Sequence, residues 1–218
     1  MRNFVEILRL LSEHYAQAKT ALDFRTPHQM LVATILSAQC TDERVNKVTP
    51  GLFARYKFVE DFAVADLLDL ERLVRSTGFY RNKARNIKAS AEMIVKDFGG
   101  EVPRKMEELL LLPGVARKTA NVVLHNAYGT SVGVVVDTHI GRLSRRLGFS
   151  KEKSPEKVER DLMKLVPRND WANIGYWLID HGRAVCKSQK PNCGECFLNE
   201  LCPSAFKFGK DGKWVGPK

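Results

Sequence analysis

"MEELLLLPGVARKTANVVLHNA", Met106 to Ala127, consists of two apolar runs joined by a Pro-Gly turn. The pattern predicts a helix ending near Leu112, a turn through Pro113, Gly114, Val115 and Ala116, and a second helix starting near Arg117. Pro113 cannot continue the first helix, and Gly114 can take the positive φ that a sharp reversal demands. The start of the second helix offers unpaired backbone N–H groups and the positive end of a dipole, a setting suited to a phosphate oxygen. Such a hairpin grips a nucleic-acid backbone without reading its sequence. Taken alone, it is equally a plain αα-corner, with Lys118 an ordinary solvated charge.

Outward from the hairpin, almost every segment repeats at the helical period. Phe4, Leu8, Leu11 and Tyr15 form an amphipathic stripe, and "TPHQMLVATILSAQ" opens with Thr26 as N-cap and Pro27 at the first helical position. Further helices are expected in "DLLDLERLVRSTG", closed at Gly78, in "NKARNIKASAEMIVKDFGG", closed at Gly99, and in "SPEKVERDLMKLV", capped by Ser154. Trp171 and Trp177 in "DWANIGYWLIDHG" sit at helical spacing and read as core. The one strand-like run, "SVGVVV" (Ser131 to Val136), is too short and isolated for a sheet. The expectation is an all-α protein of two helical lobes. One lobe, residues 21–130, carries the hairpin at about 109–126; the other joins residues 1–20 to 131–218 and carries the cysteines.

The 218 residues are 44% hydrophobic, an ordinary globular composition, but their formal net charge of +10 calls for a polyanionic partner. Nucleic acid leads, and an anionic membrane surface is the weaker reading because no strongly basic amphipathic helix is present. No run approaches the ~20 apolar residues of a spanning helix, and the N-terminus carries glutamates inside its apolar pattern, unlike a signal peptide. A cytoplasmic protein is expected, nucleoid-associated in a bacterium or archaeon.

Cys40 stands alone and reads as a small buried side chain, whereas Cys186, Cys193, Cys196 and Cys202 form C-x6-C-x2-C-x5-C. In a reducing compartment such a cluster favours metal over disulfides. Four thiolates satisfy either a tetrahedral zinc or a cubane iron-sulfur cluster. Zinc ribbons use two C-x2-C knuckles where this segment has one, so the wider loops favour the larger object.

Together, the hairpin with Lys118, the segment "VVDTHIGRLSRRLGF" with Asp137, and the four cysteines resemble the endonuclease III family of DNA glycosylases and AP lyases, over about Thr26 to Cys202. The resemblance implies that Lys118 is the nucleophile, that Asp137 is its carboxylate partner, and that the cysteines hold a 4Fe-4S cluster of structural role. It implies a monomer acting on double-stranded DNA that contains a damaged base, an oxidised pyrimidine above all, or an abasic site. "SAQCTD" (Ser37 to Asp42) and "GFYRNKARN" (Gly78 to Asn86) resemble the family's two insertion loops, so Gln39 would fill the gap left by an extruded nucleotide and Phe79 would wedge beside the opposite base. Backbone groups at Gly114 and Ala116, with Lys187 and Lys190 in the loop "KSQKPN", would meet phosphates. Arg81, Lys83, Arg85 and Lys88 are further phosphate candidates, although a solvated helix face is the commoner origin of such a run.

The residue types suit that chemistry. Breaking an N-glycosidic bond passes through an oxocarbenium-like state that a carboxylate stabilises. Attack at C1′ needs a neutral amine, its proton shed by desolvation, through neighbouring cations such as Arg117, or by transfer within the site. The resulting imine acidifies the C2′ proton and permits β-elimination. Asp137 is also a good helix N-cap, a role worth about 0.5–2 kcal/mol by itself. Three departures from the family pattern stand out: Ala116 where glycine is frequent, Phe79 where leucine is often seen, and a slightly long connection, "YGTSVGVVV", in the stretch that sets Asp137 19 positions after Lys118. A monofunctional adenine or mismatch glycosylase, which generally lacks the lysine, and a non-catalytic DNA-binding module are the alternatives.

Overall fold

A computed structural model describes residues 2–209. In chain order its helices are α1 (Arg2–His14), α2 (Pro27–Ser37), α3 (Asp42–Arg55), α4 (Val59–Ala63), α5 (Leu67–Val74), α6 (Tyr80–Asp97), α7 (Met106–Leu109), α8 (Arg117–Tyr128), α9 (Thr138–Arg146), α10 (Pro155–Leu165) and α11 (Asn173–Ala184). No strand forms among the described residues, and Val134 to Val136 run as irregular chain. The all-α expectation holds. The chain divides into two compact units, Thr20–Val132 and Met1–Lys19 with Gly133–Lys218.

In the unit Thr20–Val132, α2 is the central element. Thr26 accepts a hydrogen bond from the Gln29 amide and Pro27 opens the helix, so both N-terminal signals in the sequence are realised. Met30 through Leu36 are buried without interruption, which is the pattern of a helix covered on all sides. Around it α3, α6 and α8 close a core that includes Leu36, Leu52, Phe62, Leu70, Ile87 and Leu124. α5 continues into a 3-10 turn, Arg75–Thr77, before Gly78 takes φ 70° and ends it. α6 runs to Asp97, and Gly99 follows in the left-handed region at φ 62°.

The first helix of the hairpin is shorter than the pattern predicts: α7 ends at Leu109, three residues before Leu112. Pro113 is the reason. Its ring would collide with the carbonyl four residues back, that of Leu109, and it disfavours helical geometry at Leu112. Leu110 to Leu112 therefore descend in tight turns, with Leu111 N–H bonding Glu108 O at 3.2 Å and Leu112 N–H bonding Leu109 O at 3.1 Å.

In the unit Met1–Lys19 with Gly133–Lys218, α1 lays Ile7, Leu8 and Leu11 into a core shared with Ile140 and Leu143 of α9, Leu162 of α10 and Leu178 of α11. Trp177 is buried there and Trp171 is partly buried, its indole N–H donating to Val166 O at 3.0 Å. α10 starts at Pro155 with Ser154 at the N-cap, yet no side chain caps it, because the Ser154 hydroxyl donates to the Glu156 carboxylate instead.

Candidate active site

The hairpin is held from beneath by α6. Ser90 Oγ donates to Pro113 O at 2.7 Å, and Asn86 packs so closely under Gly114 that a Cβ there would come within 2.7 Å of its Nδ2 and 2.8 Å of its Cβ. Gly114 also takes φ 78°. Two constraints, backbone conformation and close approach, thus demand glycine at this position. Val115 is buried, Ala116 occupies the N-cap of α8 in extended geometry, and no side chain caps that helix. Lys118 is exposed in the first turn of α8, while Ala120, Val123 and Leu124 anchor the helix in the core.

Asp137 is the N-cap of α9. Its Oδ1 accepts the Ile140 amide at 2.8 Å, and the residue is half-buried. A carboxylate has a second oxygen, so the cap orients the group without exhausting it. One turn into α9, Arg142 donates from Nη2 to Cys186 O at 3.3 Å. Burial pulls the Arg142 pKa below the usual guanidinium range, an effect opposed in part by the charges of Cys186 and Asp137.

Gln39 and Phe79 share a backbone feature that their sequence context does not announce. Both are left-handed, at φ 53° and 48°, and both are exposed, Phe79 at 64%. For non-glycine residues that conformation costs about 1–2 kcal/mol each and persists only where surrounding structure enforces it. Phe79 is therefore not the core aromatic that its place after a helix end would suggest. The basic run behind it divides: Arg81 and Arg85 are exposed, but Lys83 is buried with Nζ donating to Leu36 O at 2.7 Å and Thr77 O at 2.8 Å. Lys88 donates to Ala65 O at 2.7 Å. The phosphate expectation for Lys83 is corrected: its ammonium points into the protein. Cys40 is half-buried against the same core.

All four clustered cysteines are half-buried and line one cavity together with Arg146 and His181. Among the described residues no three His, Cys, Asp or Glu side chains are grouped to hold a metal ion. A tetrahedral zinc would draw every sulfur to about 2.3 Å from one point. A cubane spreads its thiolates over four irons, and four cysteines around one shared cavity supply that donor set. Donors surround the sulfurs: Arg146, itself buried, reaches Cys186 Sγ at 3.3 Å, Lys187 O at 2.7 Å and Ser188 O at 2.8 Å. His181 Nε2 lies 3.6 Å from Cys196 Sγ while its Nδ1 meets the Tyr15 hydroxyl at 3.1 Å. Burial pushes the His181 pKa down to about 4 and the Cys196 thiol up to about 11. Lys187 and Lys190 are exposed on the loop that Arg146 secures, Lys190 at φ 49°. Arg146 and His181 escaped the sequence reading, since nothing in their spacing separates a buried arginine or histidine from a surface one.

Residues 32–168 match the HhH-GPD superfamily of base excision DNA repair proteins, and residues 186–202 match the iron-sulfur binding domain of endonuclease III. The chain is 60% identical to endonuclease III of Synechocystis sp. over 92% of its own length and 91% of that protein. It is 39% identical to the Escherichia coli endonuclease III over 91% and 93% of the two chains. Among solved structures, a non-covalent endonuclease III-DNA complex superposes with a TM-score of 0.86 at 44% identity, covering 92% of this chain and 94% of that one. A trapped endonuclease III-DNA covalent intermediate superposes with a TM-score of 0.84 at 45% identity, covering 89% and 92%.

Proposed function

The chain belongs to the endonuclease III family, bifunctional DNA glycosylases and AP lyases of base excision repair, and we propose that Lys118 is its nucleophile and Asp137 the carboxylate that stabilises positive charge at the sugar. The observation that carries the assignment is Lys118 itself, exposed at the uncapped start of α8 beside a turn that tolerates only glycine. The neutral amine of Lys118 attacks C1′, forming an N–C bond as the glycosidic bond breaks and the base departs. The Asp137 carboxylate stabilises the oxocarbenium-like state by its charge. Ring opening yields an imine, loss of the C2′ proton follows, and the 3′ phosphate leaves by β-elimination. Gly114 and Ala116 present backbone N–H groups to phosphate, Gln39 fills the gap left by the extruded nucleotide, and Phe79 supports the opposite base. The left-handed strain at both loop residues favours a functional role over a packing one.

A 4Fe-4S cluster is the chain's cofactor. Cys186, Cys193, Cys196 and Cys202 hold it in this reading, and when bound it supplies a rigid crosslink between the end of α11 and the loop bearing Lys187 and Lys190. Those lysines meet phosphates. Oxidised pyrimidines in double-stranded DNA are the substrates, the working form is a monomer, and the site of action is the cytoplasmic nucleoid. A panel of duplexes, each with one defined lesion, tests the substrate class. Strand cleavage at oxidised pyrimidines with intact undamaged duplex is expected. Cleavage confined to adenine mismatches would overturn the reading.

A further inference from the structure

Lys83 is a lysine in an interior position, 4% exposed. An interior helix position favours an apolar side chain, because an ammonium loses hydration that only well-placed acceptors restore. Burial indeed pulls the Lys83 pKa below the ordinary lysine range. Its two acceptors are informative. Leu36 O belongs to the last turn of α2, three residues before Gln39, and Thr77 O closes the 3-10 turn two residues before Phe79. The Lys83 backbone N–H also bonds Phe79 O at 3.1 Å. One residue therefore touches the chain at the root of both Gln39 and Phe79, which are distant in sequence.

We propose that Lys83 is a positioning residue that ties the two loops together, holding Gln39 and Phe79 in their left-handed conformations so that both are set to enter a gap in duplex DNA. The inference rests on the reading of those two residues as the inserting pair. Two donors are needed and the side chain has them in either protonation state. A methionine, unbranched and close to lysine in length, would fill most of the space but leave two buried carbonyls without partners and the loops free to relax separately. In this role Lys83 acts on the lesion complex alone, since undamaged duplex has no gap to fill.

The test compares binding of holoprotein to a duplex carrying a tetrahydrofuran abasic analogue and to the undamaged duplex. The variants are Lys83→Met, the loop pair Gln39→Ala with Phe79→Ala, and all three together. Lys83→Met is expected to weaken the tetrahydrofuran complex about tenfold, to change the undamaged one by less than about twofold, and to add no further loss in the loop-pair background. Equal losses on both duplexes, no loss, or a full additional loss in the loop-pair background would each overturn the proposal. A loop pair that binds tetrahydrofuran duplex like wild type would instead refute the inserting role of Gln39 and Phe79, and the proposal with it. All affinities are measured well below the melting midpoint of each variant by circular dichroism. If Lys83→Met does not fold, Lys83→Gln, whose amide nitrogen stops one bond short of the Nζ position and cannot span both carbonyls, takes its place with the same expectations.

Discussion

A carboxylate that caps a helix and a carboxylate that stabilises a cation need not be different residues. Asp137 Oδ1 accepts the Ile140 amide N–H, which fixes its orientation at the start of α9. Asparagine caps as well as aspartate, so Asp137→Asn separates the two roles. The expected outcome is lesion binding and Tm close to wild type with turnover down by about 10² to 10³ or more, the scale of losing one charge-stabilising group in a preorganised site. Single-turnover cleavage checks it; full activity would reduce Asp137 to a cap. Asp137→Ala should add a stability loss of about 0.5–2 kcal/mol on top. Gly114 poses the steric counterpart. Alanine there must hold φ 78° and displace Asn86, so Gly114→Ala should destabilise by more than about 1 kcal/mol in urea unfolding, and unchanged stability would show that the turn relaxes.

Elements differ in how plainly the chain announces them. The caps of α2, the reversal at Gly114 and the cysteine spacing are local signals: a Thr-Pro pair, a Pro-Gly pair and four thiols each state their geometry within a few residues. The early end of α7 was legible too, in the reach of Pro113 back to Leu109, although apolar periodicity alone carries the helix on to Leu112. Lys83 was not. A basic run at helical spacing reads as a solvated face, and only the tertiary approach of α2 and the 3-10 turn reveals that one of its members is an internal donor. Arg146 is hidden for the same reason, buried and bonded to three groups between Cys186 and Ser188. Leu198 is buried in the core and Phe197 and Leu201 pack against it, while the four thiols gather around one cavity, so metal binding there is coupled to folding. Cys186→Ser should lower iron and sulfide content and solubility in anaerobically purified protein. One zinc per wild-type chain, with no iron or sulfide, would overturn the cluster assignment.

Over the whole molecule a net charge of +10 sets how duplex DNA is met before any lesion is found. Each neutralised phosphate releases a counterion, so log affinity for undamaged duplex should fall linearly with log salt, at a slope of about −0.9 per phosphate contacted. A titration series in potassium chloride measures it, and an affinity independent of salt would remove the electrostatic contribution. Catalysis itself rests on one covalent bond. Borohydride reduces an imine to a stable amine, so wild-type protein mixed with duplex bearing an oxidised pyrimidine should become crosslinked to the DNA, visible as a shifted band in denaturing gels, while Lys118→Gln should give none. Crosslinking by Lys118→Gln at the wild-type level would show that another amine attacks the sugar and that Lys118 is only a charge at the mouth of the hairpin.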